Sequence, residues 1–288
     1  MSWFPLSLLC AFSAATSDAL TKRFFGRLSA YEMAVIRLSY TFVWLSGAAF
    51  FVPWTNPGRD FWMIVAVALP LEMLAYSLYI RAIKISPLSL TLPFLAYTPI
   101  FVILTGWTVL GEKISLIGLS GIFLIVAGSY LLNFSRIGAG ILEPFAAILK
   151  EPGSRLMLIV SVIYSLTATL GKSAIIHSNP YFMGVVYNMM LAALMMCLFP
   201  FHPGASFRNI AAKPFHGLAL GAVASATIFT HMVAVSQVQV AYMISLKRTS
   251  LLIGVLYGAF LFREENIGER LIGAGVMLMG VLLIGFYA

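Results

Sequence analysis

Apolar runs of about twenty residues, separated by short polar breaks, recur along the whole chain. At about 1.5 Å rise per residue, each matches the roughly 30 Å hydrocarbon layer of a bilayer. No water satisfies backbone N–H and C=O groups in that layer, so only helices or closed barrels span it. Runs this long point to helices. They fall near residues 3–22, 31–52, 61–80, 87–110, 115–133, 155–176, 181–201, 214–235, 238–262 and 267–287. The expected fold is an all-α integral membrane protein with ten transmembrane helices.

Composition agrees with that class. The chain is 61% hydrophobic and 10% charged, against roughly 45–50% and about 25% for soluble domains. Its net charge of +8 is spread over many short loops, a pattern of membrane topology and not of nucleic-acid binding. Cys10 and Cys197 both fall inside expected spans, as small buried residues and not as a disulfide or metal site. The run from Trp3 is too long for a signal-peptide core and is expected to be a retained helix. Turn chemistry marks the breaks at Pro53 to Asp60, Asn179-Pro180 and Pro200 to Pro203. The longest connection, 134–154, includes Ile141-Leu142-Glu143-Pro144-Phe145, a candidate interfacial piece. No soluble domain is expected. Phosphate-binding loops, HExxH, Cys/His metal spacing and nucleophile elbows are absent from the sequence, so neither an enzyme nor a cofactor or metal is expected.

The chain repeats itself. LGEKIS, with Glu112, corresponds to FREENI, with Glu264, at an offset of 152 residues (264 − 112). The same offset carries Gly121 onto Gly273 and Gly128 onto Gly280. Earlier in each half, Lys22 with Tyr31 matches Lys172 with Tyr181 at an offset of 150 (172 − 22). Residues 1–135 and 155–288 are then two five-helix repeats joined by a linker, 136–154. Five is odd, so the second repeat enters the membrane inverted. Inverted repeats of this kind place a substrate site near the midplane and support alternating access.

The charged residues read as intramembrane are the cations Lys22, Arg37, Lys172, Lys247 and Arg248, and the anions Asp18 and Glu72. A cation near the bilayer centre costs roughly 2.5–3.5 kcal/mol on insertion scales. Asp18 precedes Lys22 by four residues, an expected ion pair. Glu72 is expected to meet Arg37 or Lys247, and Arg37 to sit near a headgroup or brace Glu32 and Glu72. Two acids cannot neutralise five cations, which singles out Lys247 and Arg248 in the middle of their span. A planar guanidinium beside an ammonium matches a phosphate or carboxylate. The competing reading of the pair is a structural ion network. Lys172 is a candidate ligand or a snorkelling side chain. Tyr76, Tyr97, Tyr187 and Tyr242 are candidate cavity hydroxyls, Tyr97 and Tyr242 being counted among the candidate substrate contacts. His231 is a cavity polar group or a satisfied core histidine. Pro87, Pro93 and Pro99 predict a bent fourth helix. Gly217/Gly221 and Gly254/Gly258 predict close helix approach.

With its glycine-plus-acid helix ends in LGEKIS and FREENI, this layout resembles the drug/metabolite transporter superfamily, in its EamA-like branch. TKRF, GKSAI and SLKRTS also resemble the phosphate/triose-phosphate translocators of that superfamily. In those translocators the sixth-helix lysine and the ninth-helix Lys-Arg pair hold phosphate. The resemblance implies substrate contacts at Lys172, Lys247 and Arg248, with Lys22 weaker, and anion exchange. The expected function is transport of a small phosphorylated or carboxylate organic anion. The alternatives are export of amino acids or neutral amphipathic metabolites, and a non-transporting membrane partner. Met1 almost abuts the first helix, so a plasma (inner) membrane is expected, not a plastid. Eleven Lys/Arg fall in the loops of one face, against Arg59 and Lys113 on the other; the positive-inside rule puts both termini outside the cytoplasm.

Overall fold

The computed structural model describes residues 2–86, 91–131, 151–198, 201, 205–262 and 267–287. Local chemistry starts and stops the helices. Helix α1 is Trp3–Phe25 and α2 is Ala30–Ala48. Ser29 and Glu32 close α2 with a reciprocal capping box. Helix α3, Arg59–Ile85, contains Pro70. A 3-10 segment, Leu92–Tyr97, leads into α4, Thr98–Leu110, which ends at Gly111 in the left-handed conformation, φ 65°. Helix α5 is Leu116–Leu131. In the second half, α6 (Pro152–Ile176) and α7 (Pro180–Cys197) each begin with proline behind a capping side chain, Glu151 and Asn179. Then come α8 (Phe207–Ala211), α9 (Pro214–Gln237), α10 (Val240–Lys247), α11 (Ser250–Phe262) and α12 (Ile267–Tyr287).

Helix covers each of the expected spans within the described residues, and no strand occurs among them. Taken singly, α1, α3, α6, α7 and α9 are long and apolar enough to cross a membrane; Phe94–Leu110, Leu116–Leu131 and Ile272–Phe286 are shorter apolar helices. Two expected spans are broken. The fourth is 3-10 before it is α, with Pro93 and Pro99 each at the start of one part. The ninth, expected continuous over 238–262, is interrupted at Arg248-Thr249. There, i→i−3 bonds take over: Thr249 N to Leu246 O at 3.0 Å, Leu251 N to Arg248 O at 2.9 Å and Leu252 N to Thr249 O at 3.0 Å. Such a mid-helix tightening marks a hinge or a strained functional point. The candidate piece 141–145, Pro87 and Glu264 lie outside the described residues.

Helices of opposite halves pack together: α3 on α6, α1 on α9, and α5 on α12. Lipid gives apolar helices no hydrophobic reason to associate, so close packing and small residues must hold them. The α5–α12 seam shows how. A Cβ added at Gly128 would lie 2.6 Å from the Gly273 carbonyl oxygen, and one at Gly280 would lie 2.6 Å from that of Gly121. Only hydrogen fits. Under the 152-residue offset, the Gly121–Gly280 contact becomes the Gly273–Gly128 contact. Elsewhere, Gly217 and Gly221 of α9 receive Tyr40 of α2. Cys10 is buried, as expected, whereas Cys197 is exposed, so burial accounts for only one of the two thiols.

Candidate functional site

The 3-10 segment and helices α1, α2, α3, α6, α7, α9, α10 and α11 line a cavity of about 220 Å³. Helical spacing alone sets much of its wall. Glu72, Tyr76 and Tyr79 share one face of α3, and Tyr164, Thr167, Ala168, Gly171 and Lys172 share one face of α6. From α7 come Tyr187 and Asn188, from α9 His231, and from the end of α10 Lys247 and Arg248.

The expected Asp18–Lys22 pair does not form. The Arg37 guanidinium donates to Asp18 at 2.8 Å, and the Tyr79 hydroxyl donates to the other Asp18 oxygen. The i,i+4 spacing permits the pair with Lys22, but a guanidinium and a phenol from two other helices saturate the acid first. Arg37 is thus neither at a headgroup nor bracing Glu32 or Glu72; its guanidinium carbon lies 5.9 Å from the Tyr76 ring centre, a cation–π distance. Glu32 instead caps α2 and anchors the α7–α9 connection through Asn209 at 2.8 Å and the Ser206 N–H at 3.2 Å. The Lys22 ammonium donates to the Ser86 carbonyl at 2.9 Å and is not on the cavity wall.

Lys172 does reach the wall, but as a paired cation. Its ammonium donates to Glu112 Oε1 at 2.6 Å and to the Val238 carbonyl at 2.7 Å. Glu112 Oε2 accepts the Val240 N–H at 2.9 Å, at the start of α10. Glu112 is therefore bound to the second half of the chain through both carboxylate oxygens.

Lys247 and Arg248 differ from these cations. Lys247 faces His231 Nδ1 at 3.4 Å and Glu72 lies within its electrostatic reach. No described acid forms a salt bridge with either cation. Arg248 is buried, and its Nε has no hydrogen-bond partner among the described residues. The Tyr76 and Tyr187 hydroxyls on the same wall are also buried without partners. An unmet buried donor costs about 1–3 kcal/mol, more when charged. The break at Arg248 eases the electrostatic cost, because both cations sit at the C-terminal, negative end of α10.

Tyr97 and Tyr242 are not on this wall. Tyr97 stacks on Phe94, ring centres 6.4 Å apart. The Tyr242 hydroxyl is spent on the Ser115 N–H at 3.1 Å, packed against Gly118. Of the four candidate tyrosines, Tyr76 and Tyr187 are the ones on the cavity wall. Tyr79, Tyr164, Thr167 and Asn188 also line the cavity without having been singled out from sequence; the spacing of Glu72, Tyr76 and Tyr79 on α3 was the available signal.

The EamA-like transporter family model matches residues 1–134 and again 152–286. The chain belongs to the EamA-like transporter family. It is accordingly a multi-pass membrane protein of a family whose members are transporters and not enzymes, within the drug/metabolite transporter superfamily. Among curated proteins none matches the sequence. A crystal structure is similar in fold, with a TM-score of 0.70 over 98% of this chain and 94% of its own, at 14% identity. At that identity the likeness is one of fold.

Proposed function

We propose that this EamA-like protein is a secondary transporter that moves a small organic anion by alternating access, as an exchanger. The observation that carries this reading is the buried Arg248, its Nε without a partner among the described residues, on the wall of a cavity where Arg37 and Lys172 are already matched and Lys247 is not. Arg37 has Asp18 and Lys172 has Glu112. What remains is Lys247 and Arg248 against Glu72, an excess of one positive charge. An uncompensated charge in low dielectric is unfavourable, so the empty cavity favours re-occupation and hence exchange. Lys247 and Arg248 hold the anionic group, and Tyr76 and Tyr187 donate hydrogen bonds to the rest of the substrate. A phosphate or carboxylate headgroup suits the guanidinium fork.

The transporter's proposed architecture is ten spans in two inverted repeats, 1–135 and 155–288, about the linker 136–154. Support comes from the glycine contacts that exchange under the 152-residue offset, as a two-fold axis between α5 and α12 requires. In the proposed topology both termini lie outside the cytoplasm of the plasma (inner) membrane. Cytoplasmic accessibility of a tag fused after Ala288 would reverse it.

Glu72 opposite Lys247 and Arg248 also favours a second reading, an amino-acid zwitterion whose ammonium faces Glu72. A thermal-shift series on the purified protein separates the two, with phosphate, glycerol phosphate, succinate, alanine and serine as probes. A ligand that binds only the folded state stabilises it by about 2.7 kcal/mol at a hundred times Kd. Stabilisation by the anions, lost in Lys247→Gln and Arg248→Gln, supports the proposal. Stabilisation by the amino acids alone replaces it.

A further inference from the structure

Glu72 is the one acid on the cavity wall that makes no salt bridge among the described residues. It sits on α3 and faces groups from several helices. Thr167 and Tyr164 of α6, Tyr187 of α7 and Lys247 of α10 share the cavity wall with it, as does Tyr76 on its own helix. None of these except Lys247 carries a charge at neutral pH. Farther round the same wall, Arg37 and Asp18 are occupied with each other, and Lys172 with Glu112. Arg248, His231 and Tyr79, whose hydroxyl donates to Asp18, complete the titratable set. The His231 Nδ1 faces the Lys247 ammonium, which has only donors, so that nitrogen is an acceptor.

Charge arithmetic on this set has a consequence for the ligand, given the anion-site reading above. The empty cavity carries one excess positive charge. A monovalent anion brings it to neutrality. A divalent anion leaves one excess negative charge and draws Lys247 away from Glu72. An unpaired carboxylate beside an anion in low dielectric is resolved most cheaply by protonation. We infer that Glu72 is a proton-binding site linked to the anion site: a divalent anion at Lys247 and Arg248 enters with one proton, which the Glu72 carboxylate takes up, and a monovalent anion enters alone. The proton comes from solvent, and no other bond changes. Once protonated, Glu72 becomes a donor facing the bound anion and no longer only an acceptor. Anion and proton are then co-substrates, and each raises the affinity of the other by the same factor.

Sulfate and methanesulfonate test this, because they share a headgroup, differ by one charge and do not titrate near neutrality. Calorimetry of the full chain in two buffers of different ionisation enthalpy counts the protons. Wild-type protein is expected to take up about one proton per sulfate, with the association constant falling up to tenfold per unit rise in pH, and none with methanesulfonate. Glu72→Gln is expected to bind sulfate without proton uptake and methanesulfonate at least as tightly as wild type, which also shows that its cavity is folded. Sulfate binding without uptake in wild type overturns the proton linkage alone. Uptake that persists in Glu72→Gln and disappears in His231→Gln moves the site to His231 and overturns it equally. If neither anion binds wild-type protein, the anion site itself fails, and this inference with it.

Discussion

Lys172, in the second half of the chain, is held 2.6 Å from Glu112, in the first. The same ammonium holds the Val238 carbonyl, and the same carboxylate holds the Val240 N–H. One ion pair thus fastens the end of α4, the C-terminal part of α6 and the start of α10. The half-chain equivalent of the Lys172–Val238 bond is also present: Lys22 donates to the Ser86 carbonyl, and 22 + 150 and 86 + 152 give 172 and 238.

Breaking this fastening on one side is expected to be worse than removing it. Lys172→Gln strands a mostly buried carboxylate and is expected to cost about 3–5 kcal/mol. Glu112→Gln strands the ammonium and is expected to cost a similar amount. The double variant recovers part of the loss, because no unpaired charge remains. Thermal unfolding in one detergent reads all three. Strict additivity would show that the two side chains do not act as a pair.

The opposite sign is expected at Lys247 and Arg248. Each neutral variant, Lys247→Gln or Arg248→Gln, weakens phosphate or carboxylate binding by about two orders of magnitude or more. Stability of the empty protein holds or rises, since each change reduces repulsion in the cavity. Arg248→Lys keeps the charge but loses the planar fork, and binding still suffers. Variants that unfold the empty protein while binding normally would make the pair structural.

At the α5–α12 seam, backbone proximity sets the prediction. Gly280→Ala pushes a methyl against the Gly121 carbonyl and is expected to destabilise by about 1–3 kcal/mol. Gly275 lies on the same helix, with nothing within 4 Å of its Cβ position. Gly275→Ala is expected to be neutral or stabilising by about 0.4–1 kcal/mol. Equal unfolding temperatures for the two variants would contradict the close approach.

Glu151 gives a pH dependence. Burial alone would raise its pKa, but hydrogen bonds from Ser154, Ser86 and the Gly153 N–H hold the carboxyl below its ordinary value of 4.5. A group with a lowered folded pKa contributes stability above the ordinary value and loses it as pH falls through the lowered one. Glu151→Gln is therefore expected to cost about 1 kcal/mol at neutral pH, as an impaired helix cap does. The gap from wild type begins to narrow below pH 4.5 and closes in stronger acid. A gap constant with pH would mean that the carboxylate charge plays no part.

Much of the scaffold was readable from sequence because lipid imposes a simple rule on it. Apolar length located the helices and Asn179-Pro180 marked a start, whereas the Ser29/Glu32 capping box and the left-handed Gly111 came only with the fold. The Gly121/Gly273 and Gly128/Gly280 register was visible as an offset, although its meaning, a crossed backbone contact, needed the fold. The site was less legible. Lys247 and Arg248 stood out because an apolar run contained no local partner for them. The partner of Asp18 did not, since spacing along α1 favours Lys22 while Arg37 and Tyr79 arrive from other helices. The break at Arg248 carried no glycine or proline to announce it. That Tyr97 and Tyr242 lie off the cavity wall was hidden for the same reason: a tyrosine in a span says nothing about which face it occupies until its neighbours are known.

The glycine seam has one more consequence. Among the described residues, neither α5 nor α12 contributes to the cavity wall. Ile117 and Leu282 point outward from these two helices. Spin labels on that pair share a backbone-to-backbone joint and define a fixed origin for distance measurements. Any displacement of α10 recorded from that origin belongs to the cavity, not to tumbling of the whole protein.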